Sequence, residues 1–391
     1  MSALPPNRPV VVIALSRQDE HRVKSCVDRG ESGMDRSRLR RRGGAGRAPT
    51  ISDVAARAGV SVMTVSRVIN GEDKVRPATR DAVDIAIAAL NYAPNRAAQS
   101  LAGAGQIRIA LLYSNPSAAY LSEFLVGGLD QASRGAVQLV VEKCEPDDHE
   151  ADVARRLVAS GIDGFVLPPP LCDNRAVLAA LVDSGTPVVA VATGRVAARV
   201  SAVSIDDRRA AFEMTMHIAA LGHTRIGFIA GHPNQTTSAL RLQGYRDALV
   251  ACALPVDEAL IVPGLFTYRS GLDAAEQLLD LADAPSAIFA SNDDMAAATV
   301  AVAHRRGLEV PDQLTVCGFD DTALATTIWP ELTTIRQPIT DMSRAAIDML
   351  LDAVRRRRSG EAPQHRSVVL DFAMIRRQSD APPRRQAADT D

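Results

Sequence analysis

Residues 50–102 read TISDVAARAGVSVMTVSRVINGEDKVRPATRDAVDIAIAALNYAPNRAAQSLA, and their spacing predicts three short helices and a fourth that forms conditionally. Thr50 with Asp53 makes a capping-box-like start for a helix whose apolar positions are Ile51, Val54, Ala55 and Ala58. Gly59 ends that helix, Val60 packs the corner, and Ser61 caps a second helix, VMTVSRVIN, after the tight turn of a helix-turn-helix. Val65, Val68 and Ile69 share one face of the second helix, while Val62, Met63, Ser66, Arg67 and Asn70 lie around the other. Pro77 suits the first turn of a third helix, whose Ala78, Val83, Ile85, Ile87 and Leu90 are expected to close a small core. Spacing alone also fits an ordinary helical bundle in which Arg67 and Asn70 are solvated.

What separates the two readings is a resemblance. The run D-V-A-x-x-A-G-V-S-x-x-T-V-S-R-V-x-N at Asp53 to Asn70 resembles the DNA-binding headpiece of LacI/GalR-family bacterial transcription regulators. Asn91-Tyr92-x-Pro94-Asn95 and Ala97-Ala98-Gln99-Ser100-Leu101 resemble the hinge of that family. The resemblance implies that Val62 and Met63 face base edges and that Arg67 is a base-contacting arginine. It also implies backbone contacts from Thr50, Ser61, Thr64, Ser66 and Asn70. An arginine can donate two hydrogen bonds to one guanine, whereas Val62 and Met63 would read thymine methyls and shape. In the hinge, Asn95 to Ala102 is too short to be a stable free helix and is expected to order on docking. Ala98 is small enough for two symmetry-related copies to touch, and Leu101 matches the leucine that wedges into the minor groove.

The 391 residues are 47% apolar, enough for a small domain plus larger ones with a sizeable core. The formal net charge is −2, so nucleic-acid affinity must come from a local patch. Residues 36–47 (RSRLRRRGGAGR) carry six arginines and no acid directly before the first helix, and residues 1–49 are read as a disordered basic extension. The family usually begins within a few residues of the first helix, so this segment is either a genuine extension or a start assigned too early, with Met34 as an internal alternative. The apolar run at residues 9–15 is followed at once by charges and makes a poor signal peptide, and no stretch approaches membrane-span length. Cys26, Cys144, Cys172, Cys252 and Cys317 are scattered, which points to free thiols in a reducing cytoplasm rather than to a metal site.

After the linker at residues 103–105 the pattern changes to aliphatic runs alternating with helix-length segments. Strands are expected at residues 107–113, 137–142, 163–167 and 187–192, then at 225–230, 260–262, 286–290 and 314–317. Helices are expected near 118–134, 147–160 and 173–184, then near 207–221, 236–252, 270–282 and 293–306. Such alternation is the signature of doubly wound parallel sheets. The fold class expected is an all-α helix-turn-helix headpiece at 50–94, a hinge and linker at 95–105, and an α/β two-lobed core like that of periplasmic binding proteins at 106–377. The core resembles that of the same family at Leu221-Gly222-His223, Arg241-x-x-Gly244-Tyr245, Ser291-Asn292-Asp293, Gly318-Phe319-Asp320-Asp321 and Leu332-Thr333-Thr334-Ile335-x-Gln337-Pro338. On that resemblance lobe 1 takes about 106–205 and 338–362, and lobe 2 about 206–337 and 363–377. The chain is then expected to cross near 205, near 318–325 and near 337, with a strand at 367–371 closing the second lobe and a disordered tail over 378–391.

Effector-binding candidates are Tyr120, Leu121, Gln235, Thr237, Arg241, Phe266, Asn292, Asp293, Asp320 and Gln337, polar and aromatic groups at strand ends facing the cleft. Arg241, Asn292 and Asp320 offer a polyol both donors and acceptors, and Phe266 offers a flat apolar face. Gln235 stands where the purine repressor has an arginine, which argues against a purine. Residues 190–193 lack the acid that the lactose repressor places at that strand end. The function implied is a sequence-specific DNA-binding regulator: a repressor of carbohydrate-utilisation genes that binds a pseudo-palindromic operator as a homodimer, with a tetramer as the alternative. A small sugar or sugar derivative between the lobes would control it, as inducer or, with the same parts, corepressor. No cofactor or metal is expected. An α/β enzyme is a competing class, but no G-x-S-x-G, phosphate-binding glycine loop or H-E-x-x-H occurs. A secreted sugar-binding protein is disfavoured by the headpiece and the poor signal peptide.

Overall fold

The computed structural model describes residues 49–69, 75–90, 92, 106–135, 137–144 and 149–384; the expectations for residues 1–48, Asn70, Asn95, Ala98, Leu101 and 385–391 lie outside the described residues. The chain divides into a helical unit ending at Gln106 and a core unit from Ile107 onward.

In the helical unit, α1 (Ile51–Ala58), α2 (Val62–Ile69) and α3 (Pro77–Leu90) pack around Val54, Ala55, Val65, Val68, Val83, Ala86 and Tyr92. The Asp53 carboxylate accepts from the Thr50 backbone N–H and hydroxyl, both at 2.7 Å, which fixes the start of α1. Gly59 ends it with φ 67°, a left-handed turn that brings the next helix round at once. On α3 the expectation fails in part. Ile85 is 69% exposed, and the buried positions are Val83 and Ala86, three residues apart on one face.

The core unit begins with β1 (Arg108–Tyr113), α4 (Ala118–Arg134), β2 (Gln138–Lys143), α5 (Glu150–Ala159), β3 (Gly164–Leu167), α6 (Arg175–Asp183), β4 (Val188–Val191) and β5 (Ser201–Ser204). The second lobe follows as α7 (Asp207–Ala220), β6 (Ile226–Ala230), α8 (Thr236–Ala251), β7 (Ile261–Pro263), α9 (Tyr268–Leu279), β8 (Ala287–Ala290), α10 (Asp293–Arg305), β9 (Thr315–Asp320), α11 (Leu324–Thr327) and β10 (Thr333–Arg336). The chain closes with α12 (Ile339–Ser359), β11 (Ser367–Val369) and β12 (Ala373–Ile375).

Two six-stranded sheets result, ordered β11-β5-β4-β3-β1-β2 and β12-β10-β9-β8-β6-β7. Every pairing is parallel except β10 with β12. Helices cover both faces, and the central strands β3, β4, β8 and β9 are buried at every position. Helix pairs close on glycines. A Cβ on Gly127 of α4 would lie 2.2 Å from the Thr340 carbonyl oxygen of α12, and one on Gly244 of α8 would lie 2.1 Å from that of Arg208 on α7.

Three expectations about chain routing are corrected. The strand near 367 pairs with β5 and extends the first sheet, and only β12 joins the second. The crossings therefore fall near 205, near 337 and at 370–372; β9 and β10 are neighbours in one sheet, which leaves no crossing at 318–325. The tail does not start at 378. Ser379 is fully buried, its hydroxyl donating to the Val316 carbonyl, and Asp380 accepts from His217 at 2.9 Å and from the Thr333 hydroxyl. Neighbours in lobe 2 thus order a segment of polar, loop-like composition. No helix among the described residues is long and apolar enough to cross a membrane.

Candidate functional site

In the helical unit, the described residues expected at DNA are all exposed or half-buried. Val62 and Met63 are 44% and 65% exposed at the start of α2, unusual for apolar side chains, and Arg67 is exposed one turn later. The Arg67 guanidinium lies 3.8 Å from the Met63 sulfur. Ser61 caps α2, its Oγ accepting from the Thr64 N–H at 3.1 Å and bonding the Thr64 hydroxyl at 2.9 Å. At the start of α1 Thr50 instead donates its N–H and hydroxyl to Asp53, and Ser66 is half-buried on α2. Two capped helix starts and an arginine form a surface able to hold phosphates while side chains reach base edges.

In the core unit, the carboxyl ends of both sheets face one cleft. Its small cavity, about 30 Å³, is lined from lobe 1 by Asn115, Ser117, Tyr120, Pro169 and Ala192. From lobe 2 and the return segment come Gln235, Thr237, Arg241, Phe266, Asn292, Asp320 and Gln337. Eight of the ten sequence candidates are therefore on its wall. Leu121 is not, because one residue along α4 from Tyr120 turns it about 100° away. Asp293 is not either: its buried carboxylate accepts from the Thr322 N–H at 2.8 Å and the Thr334 hydroxyl at 2.7 Å, behind the wall. Asn115, Ser117, Pro169 and Ala192 were missed; the signal available was their position just past β1, β3 and β4.

Arg241 is the centre of the cleft. Its Nε donates to Asp207 at 2.8 Å and its Nη1 to the Ser291 carbonyl at 2.5 Å, with Asp320 at 3.9 Å. Its guanidinium lies 3.6 Å from the Phe319 ring centroid and 5.8 Å from that of Phe266. Asp320 accepts from Gln337 Nε2 at 2.6 Å. Asp320 and Asp321 both have positive φ, 116° and 58°, in a region that non-glycine residues rarely occupy. Arg336 and Arg377 hold the Asp321 carboxylate, each at 2.6 Å, and so fix the turn that aims Asp320 at the cleft. Asn292 caps α10 through Met295 N–H and donates to the Phe266 carbonyl at 3.1 Å, which positions the Phe266 loop. Gly231 leaves room for that ring, since a Cβ there would lie 2.0 Å from it.

Burial pushes the Asp320 and Asp207 carboxyls up against the pull of Arg241, and burial also raises the Tyr120 hydroxyl, which stays a donor. The Tyr120 hydroxyl and Gln337 Oε1 are buried without a hydrogen-bond partner. An unpaired buried polar atom costs roughly 1–3 kcal/mol, so both favour a ligand that can bond to them.

The two lobes touch at the rim. Asp173, after β3, accepts from the Thr236 N–H at 2.7 Å and from the Thr193 hydroxyl at 2.7 Å, while Gly194 N–H donates to the Thr236 hydroxyl at 2.7 Å. On the other side the Ser117 hydroxyl donates to Asp294 at 2.6 Å. No group of three or more His, Cys, Asp or Glu able to hold a metal occurs among the described residues.

The match to known proteins follows the same division. Residues 50–95 fit the model of bacterial regulatory proteins of the lacI family, and residues 215–379 fit a periplasmic binding protein-like domain. The chain is 36% identical over 347 residues to the HTH-type transcriptional regulator CelR of Thermobifida fusca, covering 85% of this chain and 98% of that one. It belongs to the LacI family of bacterial regulatory proteins. The fold agrees: a CelR–cellobiose complex superposes with a TM-score of 0.65 at 33% identity, over 85% of this chain and 99% of that one. The Lac repressor dimer bound to operator and the anti-inducer ONPF gives a TM-score of 0.73 at 27% identity, over 86% and 100%. As a family member the protein is a DNA-binding transcription regulator, with its helix-turn-helix in the helical unit and its effector domain in the core.

Proposed function

We propose that the protein is a repressor of carbohydrate-utilisation genes that acts in the cytoplasm as a homodimer on a pseudo-palindromic operator, released by a neutral sugar bound between the lobes. The observation that carries the effector class is the charge balance of the cleft. Arg241 is the only Lys or Arg on the cavity wall among the described residues, and it is already paired with Asp207 and has Asp320 beside it, so no unpaired cation is left there for an added anion. A polyol instead supplies hydroxyls to the unpartnered Tyr120 hydroxyl and Gln337 Oε1, and a ring face to Phe266. The cellobiose carried by the CelR complex supports the same class. Two-fold pairing follows from the small footprint of one headpiece, which reads too few base pairs alone. We read the cleft as binding without catalysis, since Asp293 is engaged by Thr322 and Thr334 and Asp320 by Gln337.

The test is calorimetric titration of the full chain with cellobiose, ribose, glucose and glucose 6-phosphate, alongside gel shift on a library of palindromic operators. A neutral sugar that binds and lowers operator affinity is expected; one that raises it would make the effector a corepressor. Preferential binding of glucose 6-phosphate would overturn the charge argument. Arg241→Ala is a poor probe, because it strands Asp207 as an unpaired buried carboxylate at a cost of about 3–5 kcal/mol. Tyr120→Phe is the cleaner variant, since its hydroxyl has no partner to strand.

A further inference from the structure

A second cavity, in the first lobe of the core unit, lies away from the cleft. It opens at the amino ends of β4 and β5, under the end of α12, and encloses about 270 Å³. That is well above the roughly 150 Å³ that admits benzene and close to the lower end of small-molecule sites. Its apolar surface comes from Val182, Pro187, Val188, Ala353 and Pro363. Its charged surface is mostly cationic: Arg199, Arg356 and Arg357 stand against a single acid, Glu361, with His365 beside them. Both Glu361 oxygens are already committed, one to Arg356 at 3.0 Å and the other to the Ser359 hydroxyl at 2.8 Å. Arg199 and Arg357 have no carboxylate within ion-pair distance among the described residues, and both are exposed at the rim. Arg199 moreover sits at φ 62°, a conformation that a bulky side chain adopts only when its surroundings hold it there.

We propose that this cavity is a second ligand site, one that takes a small organic carboxylate with an apolar body. The carboxylate meets Arg357 and Arg199, and the body fills the space between Pro187, Val188 and Ala353. The chemistry is opposite to that of the cleft, where Arg241 is already paired with Asp207. The site also adjoins a contact that bears on the start of the core. Arg358, next along α12, donates to Asp163 at 3.0 Å, and the other Asp163 oxygen accepts from the Arg108 N–H at 2.9 Å, fixing the first residue of β1.

The test is calorimetry on the full chain with three probes: octanoate, octan-1-ol and inorganic phosphate. Octanoate is expected to bind one per chain, and the other two at least roughly tenfold more weakly, since each lacks one half of the recognised chemistry. Arg357→Glu should weaken octanoate by roughly tenfold or more. Arg199→Asn removes the second charge while suiting the left-handed backbone, and should weaken octanoate without lowering the melting temperature. No octanoate binding, equal binding of either control probe, or octanoate affinity unchanged in both variants would overturn the proposal.

Discussion

Asp173, in the first lobe, caps the amino end of α8 in the second, its carboxylate accepting from the Thr236 N–H at 2.7 Å and the Thr236 hydroxyl at 2.9 Å. The carboxylate therefore meets both the free N–H groups and the positive end of a helix dipole across the cleft. Gly194 lets the lobes approach, since a Cβ there would lie 3.0 Å from the Thr236 carbonyl carbon. The contact joins the two lobes directly, so it favours the arrangement in which they approach each other across the cleft.

Asp173→Ala should open the lobes and weaken the effector. A hydrogen bond to a charged group contributes about 1.5–3 kcal/mol, so the apparent affinity for the sugar should fall by roughly tenfold or more through loss of closed population. Small-angle scattering should show a larger radius of gyration in the variant. An unchanged scattering profile together with unchanged sugar affinity would refute the role given to this contact.

Arg67→Ala should cost the operator complex about 1–3 kcal/mol while leaving binding to random DNA much less affected, because a base-edge contact contributes only on the cognate sequence. Competition gel shifts at fixed salt measure both. Equal losses on operator and random DNA would instead make Arg67 a phosphate contact.

Asp293 should make the core less stable as pH rises. Burial lifts its pKa from the ordinary 3.8 to about 7, so between these values the folded protein holds a proton that the unfolded chain has released. Stability from this group is then greatest at the acid end of the window and falls as pH climbs toward 7, flattening above it. Asp207 and Asp320 are raised as well and push the same way, so the informative quantity is the difference from Asp293→Asn. Urea unfolding from pH 4.5 to 7.5 should show a shallower slope in that variant, and identical slopes would contradict the assignment.

The headpiece was the most legible part of the chain, because its signals are local. Ser61, Gly59 and the Val65/Val68 face each act within a turn of themselves. The long aliphatic strands were equally plain. What the sequence concealed were elements created by partners distant in the chain. β5 is SAVS, whose two serines break the apolar run, yet it pairs with both β4 and β11. Residues 378–384 have the composition of a loose end until Thr333, His217 and Val316 supply partners for Ser379 and Asp380. Motif register likewise placed Asp293 and Asp320 alike at strand ends. Only the Thr322 and Thr334 contacts separate the acid behind the wall from the acid on it.

Tyr120→Phe separates the cost of the cleft from its use. The hydroxyl is buried with no partner, and burial raises its pKa well above the ordinary value, so it remains an uncharged donor at every working pH. Removing it relieves a desolvation cost of about 1–3 kcal/mol while the ring keeps its stacking on Phe124, with centroids 6.3 Å apart. The sugar-free protein should therefore melt at the same temperature as wild type or slightly above it. The sugar complex should lose the bond that the hydroxyl was held in reserve to make, and affinity should drop by roughly fivefold or more, since a site built to bond a hydroxyl gains nothing from a phenyl ring. Thermal unfolding and calorimetry on the same preparations test both halves. A variant that melts lower and binds sugar as tightly as wild type would mean that the hydroxyl serves the fold rather than the effector.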